Sequence, residues 1–194
     1  VTTTKVYDTY TTAAITSGGA LQTAIAVGSG TSSDGKPYTG DTVNVTLAAN
    51  YNSASVTATT ISFTNSVSLG NSNYTLTLPS SVSGTITAKA ITLTGLSVPS
   101  SKVYNGTTTA VVSGTATVAA TEAPGVGSST DGKAYTSDTV TVSGTATGTY
   151  DNPNVANATT VTFDGLSLSN SNYSIATYTQ NATITAKAIT LTGL

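Results

Sequence analysis

The sequence predicts an all-β protein made of two tandem antiparallel β-sandwich (Ig-like) domains, arranged end to end. Three observations predict this fold class. Apolar residues recur at every second position, the same pattern of residues occurs twice along the chain, and no stretch combines a helical period with helix caps. Loops rich in Gly, Ser and Asp separate the alternating segments, as expected between short strands.

The alternation is clearest at Tyr74, Leu76 and Leu78, which are separated by threonines. A period of two indicates strands with one buried and one exposed face, because successive side chains of a strand point to opposite sides. The same pattern occurs at Val43, Val45 and Leu47 and again at Val140 and Val142. Residues 28–40 and 125–137 lack it and are predicted to be loops.

The duplication has an offset of 97 to 99 residues. Lys-Val-Tyr-Asp at 5–8 matches Lys-Val-Tyr-Asn at 102–105, and residues 85–96 recur as residues 183–194. The small drift in the offset indicates short loop insertions between two copies of one fold.

The phase of the alternation changes near the end of the first copy. Ile86 and Ala90 share one parity, whereas Ile91 and Leu93 share the other. A slip of one residue moves side chains to the opposite face, so we predict a bend or bulge near Ala90.

Domain limits follow from this phase change. The first repeat spans residues 1–90 and lacks its first strand, and the second spans residues 91–188. Residues 189–194 then form an orphan strand that belongs to a following domain or subunit. Two explanations stay open: the segment is a slice of a longer array, or subunits join head to tail by strand addition. In the second case the assembly strand consists of Ile189, Thr190, Leu191, Thr192, Gly193 and Leu194.

The composition excludes several classes of function. Charged residues make up 7% of the chain, its net charge is -2 and Arg is absent, so no nucleic-acid partner is expected. No run of about 18 apolar residues occurs, so no membrane insertion is expected. The chain has no Cys and no His, which excludes thiolate metal sites and ordinary catalytic triads. Polarity that rests on Thr, Ser, Gly and Asn predicts an extracellular or cell-surface protein.

No catalytic, cofactor-binding or metal-binding residue is expected. The acidic residues are mostly isolated in sequence, and Asp34 and Asp131 precede Gly, a position typical of turn formers. Calcium needs several converging oxygen ligands, and no Asp-x-Asp pattern supplies them. We predict that the protein is not an enzyme and uses no cofactor.

Lys89 and Lys187 occupy equivalent positions and are the candidates for Lys–Asn isopeptide cross-links of the kind found in some surface stalks. Such a link needs a buried lysine beside an asparagine and an acid. The alternative is an exposed edge-strand lysine, which discourages aggregation.

Two further sets of side chains are candidates for function. Six asparagines lie in glycosylation sequons: Asn44, Asn73, Asn105, Asn157, Asn172 and Asn181. Aromatic residues at matching places in both copies are expected in the core: Tyr7, Tyr104, Tyr74, Tyr173, Phe63 and Phe163. The remaining tyrosines could form a sugar-stacking surface: Tyr10, Tyr38, Tyr51, Tyr135, Tyr150 and Tyr178.

Several motifs resemble one known family. Lys-Val-Tyr-Asn-Gly-Thr-Thr at 102–108 looks like the Lys-x-Tyr-Asp-Gly-Thr-Thr signature of YDG repeats. Leu-Ser-Leu-Ser at 166–169, followed by Asn172 and Tyr173, resembles a later segment of that family, and residues 183–190 resemble its module ending. The resemblance covers both copies.

The resemblance implies β-rich modules that are arrayed in large bacterial surface proteins and filamentous-haemagglutinin-like adhesins, with no catalytic residues. The first copy departs from the signature at Thr9, which replaces the turn glycine found as Gly106. Because Thr tolerates positive φ poorly, we expect this turn to be rearranged.

The expected function is an extracellular structural module that forms a stalk or fibre. Its expected partners are copies of itself joined head to tail, or neighbouring repeats of a longer chain. The alternative is an adhesin domain that binds glycans or a host surface.

Overall fold

The computed structural model describes residues 1–16, 20–65, 70–78 and 80–193. Within those residues the protein is all-β, with several small sheets and no helix. This confirms the predicted all-β class. In the described part of the chain there is accordingly no helix with the length and apolarity of a transmembrane span.

The chain forms two compact units, Val1–Thr87 (unit 1) and Ala88–Leu194 (unit 2). The strands of unit 1 are β1 (Thr4–Val6), β2 (Thr12–Ala13), β3 (Leu47–Tyr51), β4 (Thr60–Asn65), β5 (Val82–Ser83) and β6 (Thr85–Thr87). The strands of unit 2 are β7 (Lys89–Ile91), β8 (Leu93–Ser97), β9 (Ser101–Val103), β10 (Thr109–Ala110), β11 (Ser113–Val118), β12 (Thr121–Glu122), β13 (Ala134–Tyr135), β14 (Val142–Tyr150), β15 (Thr160–Leu168), β16 (Tyr173–Ile175), β17 (Thr179–Asn181) and β18 (Thr183–Thr185).

The same four-stranded antiparallel sheet occurs in both units. Its order is β2-β3-β4-β5 in unit 1 and β10-β14-β15-β17 in unit 2. Matching pairs such as Tyr51 with Ile61 and Tyr150 with Val161 hold the same places in the two registers. All four of these side chains are buried. The duplication seen in the sequence is therefore a duplication of sheet topology and core.

Several short strand pairs are parallel, which the prediction of antiparallel sandwiches did not include. They are β1 with β6, β7 with β16, β9 with β18 and β12 with β13. Most of these pairs join strands far apart in the chain, so no hairpin turn fixes their direction.

Glycines with positive φ mark the bulges of unit 2. The register of β8 on β11 shifts after Gly114, where Gly114 and Gly95 both have a φ of 93°. A Cβ on either residue would overlap a backbone carbonyl of the facing strand. These positions therefore need glycine both for backbone conformation and for space.

The predicted change of phase lies earlier than the sequence suggested. Ile86 is buried, Thr87 and Ala88 are not, and the buried positions resume at Lys89 and Ile91. The slip therefore falls at Ala88 rather than Ala90, which puts Lys89 on the inward face. It coincides with the limit between the two compact units; the domain limit predicted after residue 90 stays a prediction.

The turn at Thr9 is not rearranged, contrary to the sequence prediction. Thr9 has a φ of 73°, close to the 80° of its counterpart Gly106. Asp8 Oδ1 accepts hydrogen bonds from the Lys5 ammonium at 2.6 Å and the Tyr10 amide at 3.0 Å. The same side-chain bonds form around Asn105 in unit 2, so the motif holds the turn even where a β-branched residue is strained in it.

The aromatic predictions are partly right. Tyr7, Phe163 and Tyr173 are buried, and Phe63 and Tyr74 are half-buried. The prediction for Tyr104 is wrong, since 39% of the residue is exposed. Three tyrosines considered for a sugar-stacking surface are instead core residues: Tyr51, Tyr135 and Tyr150. Tyr51 and Tyr150 occupy the buried parity of their strands, whereas both residues of β13, including Tyr135, are buried.

Candidate assembly site

A fully buried lysine lies at the start of β7 in unit 2. Lys89 has 0% of its surface exposed. Its Nζ lies 2.5 Å from Glu122 Oε1, 3.0 Å from Asp131 Oδ1 and 4.3 Å from the centre of the Tyr135 ring. An ammonium in such a place is stable only with partners, and here two carboxylates and an aromatic face supply them. We call Lys89, Glu122, Asp131 and Tyr135 the lysine site.

Strand pairing places each member of the lysine site. β7 pairs in parallel with β16, so that Lys89 lies opposite Tyr173. β12 pairs with β13, which places Glu122 opposite Tyr135. The Lys89 amide donates to the Asn172 carbonyl at 2.9 Å and fixes the register of the lysine.

Asp131 belongs to a tight turn, as its position before Gly predicts. Its Oδ2 accepts from the Ser128 amide and its Oδ1 from the Lys133 amide, both at 3.0 Å. Burial alone would raise the pKa of Asp131, but these two amides and the Lys89 ammonium outweigh it and hold the pKa well below its usual range. The Asp131 carboxylate is thus charged, and the two turn amides orient it independently of Lys89.

The charge of Lys89 is also secured by its partners. Burial works to lower the pKa of Lys89, but the hydrogen bonds that its ammonium donates to Glu122 and Asp131 outweigh burial and raise the pKa above its ordinary value. Within the described residues, Oε2 of Glu122 is buried without a hydrogen-bond donor. Glu122 therefore depends on Lys89 for the compensation of its charge.

The structure corrects the predictions made for Lys89. The side chain is not an exposed edge-strand lysine, because the phase slip at Ala88 turns it inward. Its ammonium pairs with two carboxylates rather than with an asparagine side chain. The geometry therefore gives no support to a Lys–Asn isopeptide at Lys89, and Lys187 is exposed.

Unit 1 contains most of the same arrangement without a lysine. Asp34 accepts from the Thr31 and Lys36 amides at 3.1 Å and 3.0 Å, just as Asp131 does from its own turn. The amide of Tyr38 donates to the Tyr74 hydroxyl at 2.9 Å, matching the bond between Tyr135 and Tyr173.

Three differences separate the sites. Ile25, paired with Tyr38, takes the place of Glu122. A cavity of about 500 Å³ lies beside Asp34, Tyr38 and Tyr74, where unit 2 holds β7. Residues 74–76, the counterpart of β16, are not in a strand. We call this cavity the unit 1 groove.

The predicted assembly strand lies exposed. Residues 183–194 are identical in sequence to residues 85–96. Ile91 and Leu93 are 0% and 2% exposed, whereas their counterparts Ile189 and Leu191 are 92% and 80% exposed. Leu194 lies outside the described residues. One sequence therefore occupies a core in one place and solvent in the other.

The glycosylation candidates are mostly accessible. Five are exposed and Asn172 is half-buried. The Asn105 side chain accepts from the Lys102 ammonium at 3.1 Å and the Thr107 amide at 3.2 Å, so it supports the signature turn. Modification of these residues remains a prediction.

Sequence reasoning missed Glu122 and the role of the signature lysines. Glu122 is the single glutamate of the chain, a signal that could have singled it out. Lys102 donates to the Thr107 and Thr109 carbonyls at 2.6 Å and 3.0 Å, and so fastens the turn after its own strand. Among the described residues, no three acidic side chains gather into a group that could hold a metal ion.

The comparisons with known proteins agree with the motif at 102–108. The family model of the YDG domain matches residues 87–182. No curated protein and no solved structure matches the chain. The match begins at the junction of the two compact units and covers most of unit 2, including all members of the lysine site. Residues 87–182 of this chain are therefore a YDG domain.

Proposed function

We propose that the protein is an extracellular structural module that forms a stalk or fibre from β-sandwich units arranged end to end. Copies join head to tail when residues 189–194 of one copy complete unit 1 of the next. This is strand addition, in which main-chain hydrogen bonds fill an open sheet edge and side-chain pockets give specificity.

The observation that carries this proposal is the way the chain passes from unit 1 into unit 2. β6 pairs with β1 inside unit 1, and the next residues of the same segment enter unit 2 as β7 and β8. At the end of unit 2, β18 pairs with β9 in the same manner. The identical residues that follow have apolar side chains and no core among the described residues.

Exposed apolar groups near β18 support the proposal. Val103 and Tyr104 are 58% and 39% exposed, although their counterparts Val6 and Tyr7 are half-buried and buried. Together with Ile189 and Leu191 they leave apolar surface uncovered on unit 2. Such surface is a feature of interaction sites in soluble proteins.

The composition supports an extracellular location. Charged residues make up only 7% of the chain, and threonines occupy many exposed strand positions. The resemblance to repeats of bacterial surface proteins points the same way. The alternative of a glycan-binding adhesin has less support, because the tyrosines Tyr51, Tyr135 and Tyr150 are buried.

Electron microscopy of the purified chain beside a truncation that ends at Ala188 tests the proposal. We expect filaments from the full chain and single particles from the truncation, because the truncation lacks the donated strand. Filaments from both proteins would refute strand donation, and single particles from both would refute self-assembly of this chain.

A further inference from the structure

We propose that the unit 1 groove is a binding site for the Lys-Ala-Ile segment at 187–189 of a second copy, and that Lys187 is its specificity-determining residue. The Lys187 ammonium binds Asp34 Oδ1 and lies against the face of Tyr38. This inference rests on the proposed strand donation. It adds where the donated strand binds, which of its residues face which residues of unit 1, and the role of the Lys187 ammonium.

The shape of the groove is the first argument. Its lining includes Asp34, Gly35, Tyr38 and Tyr74. Their counterparts in unit 2 all touch or face β7: Asp131 and Tyr135 contact Lys89, Gly132 bridges to Ile91, and Tyr173 pairs with Lys89. Since residues 187–189 have the same sequence as β7, the chain carries a segment that matches this lining.

The Asp34 carboxylate, which would accept from the lysine, is already held in position by its own turn. Two backbone amides hold the Asp34 carboxylate in its turn and lower its pKa, so the group is anionic at neutral pH. The Tyr74 hydroxyl donates to Asp41 Oδ2 at 2.6 Å and accepts from the Tyr38 amide, which fixes the wall of the groove. Binding a lysine there needs little rearrangement of the polar groups.

The register follows from unit 2. There the Lys89 amide donates to the Asn172 carbonyl and the Ala176 amide donates to the Ile91 carbonyl, both at 2.9 Å. By equivalence, the Lys187 amide donates to the Asn73 carbonyl and the Thr77 amide to the Ile189 carbonyl.

The unit 1 groove differs from the lysine site in charge. Ile25 stands where unit 2 has Glu122, so the incoming ammonium meets one carboxylate instead of two. Among the described residues that line the groove, no second carboxylate is left uncompensated when the groove is empty, which suits a site that is filled by another molecule rather than by its own chain.

Sedimentation velocity over a range of concentrations tests the inference on the full chain. The test variant is Lys187→Gln, and the matched control is Lys133→Gln, which removes the same charge from a turn outside the donated segment. We expect Lys187→Gln to raise the concentration needed for assembly at least tenfold and the control to leave it unchanged. A gain-of-function variant, Ile25→Glu, restores the second carboxylate and is expected to lower that concentration.

The outcomes separate this inference from the proposed function. If the unmodified chain assembles and Lys187→Gln assembles equally well, strand donation stands and the role of Lys187 is wrong. If Lys187→Gln and its control weaken assembly alike, the effect is one of net charge and the site is refuted. If the unmodified chain does not assemble at any concentration, the proposed function fails and this inference with it.

Discussion

Replacing Lys89 by Met tests whether the lysine site stabilises unit 2. Met has a similar length and apolar stem, so the substitution removes the charge while keeping most of the volume. It leaves Glu122 and Asp131 close together without their cation, and Glu122 is 8% exposed. The matched control is Lys187→Met, which changes the same residue within an identical sequence at an exposed position.

The expected loss is large. Removing one partner of a buried ion pair costs about 3–5 kcal/mol of unfolding free energy. We expect the lower end of that range, because Asp131 keeps its two amide hydrogen bonds and its side chain is 18% exposed to water. For a domain of this size, about 3 kcal/mol corresponds to a fall in melting temperature of roughly 12 °C or more. The control should stay within about 0.5 kcal/mol.

Differential scanning calorimetry, with hydrogen exchange to assign each transition to a unit, measures the effect. The transition of unit 2 should fall while that of unit 1 stays in place. A second change, Glu122→Gln in the Lys89→Met background, should recover part of the loss because it removes the uncompensated charge. Equal melting temperatures for Lys89→Met and Lys187→Met would refute the reasoning.

Three further predictions concern backbone and charge. Thr9→Gly should stabilise unit 1 by about 1 kcal/mol in urea titrations, because it relieves positive φ in a β-branched residue at some entropic cost. Gly114→Ala should lower the unfolding free energy of unit 2 by about 1–3 kcal/mol in urea titrations, because the added Cβ would overlap the facing Gly95 carbonyl. Asp131 has a lowered pKa, so its stabilisation is complete above about pH 4 and is lost as the pH falls through the folded-state value. Asp131→Asn should weaken that acid dependence in urea midpoints measured from pH 5 downward.

Each of these predictions has an outcome that contradicts it. Destabilisation by Thr9→Gly would mean that the threonine side chain makes a needed contact. An unchanged midpoint in Gly114→Ala would show that the strands separate without cost. An identical acid dependence in Asp131→Asn would assign the pH effect to other carboxylates, such as Asp151, whose pKa is lowered to about 2 by hydrogen bonds from Thr159.

The main sheets could be predicted because their signal is local. Alternation places Val43, Val45 and Leu47 on the inward parity, and all three are partly buried, but only Leu47 lies in a strand. The strand predicted from the alternation at 74–78 is wrong, since none of these residues is in a strand. The duplication predicted that both units share a core, and the pairs Tyr51–Ile61 and Tyr150–Val161 confirm this. Periodicity therefore predicts which side chains face inward, but not whether the segment pairs as a strand.

The lysine site could not be predicted from local sequence. Residues 85–96 and 183–194 are identical, yet Lys89 is buried and Lys187 is exposed. The difference in burial between the two lysines comes from the residues that each segment packs against, and the sequence of the segment itself carries no information about them. The parallel pairing of β7 with β16 joins residues far apart in the chain, and alternation carries no information about such a pairing.

The Thr9 turn shows that the backbone preference of a single residue is not enough to predict a turn. Propensity predicted a rearranged turn, but hydrogen bonds that the Lys5 ammonium and the Tyr10 amide donate to Asp8 hold it in place. Several such bonds outweigh a local strain of about 1–3 kcal/mol. The conformational preference of Thr9 is therefore outweighed by the hydrogen bonds around Asp8. In the sequence these bonds are visible only as the motif Lys-Val-Tyr-Asp at 5–8.

The most direct test of strand donation is amide hydrogen exchange of the full chain as a function of concentration. We predict that the amides of Lys187 and Thr77 become protected together as concentration rises, because each donates to a carbonyl of the other segment. Exchange at the Lys89 amide, already paired within unit 2, should not change. Equal exchange of Lys187 and Thr77 at low and high concentration, in samples that contain assemblies, would contradict the account.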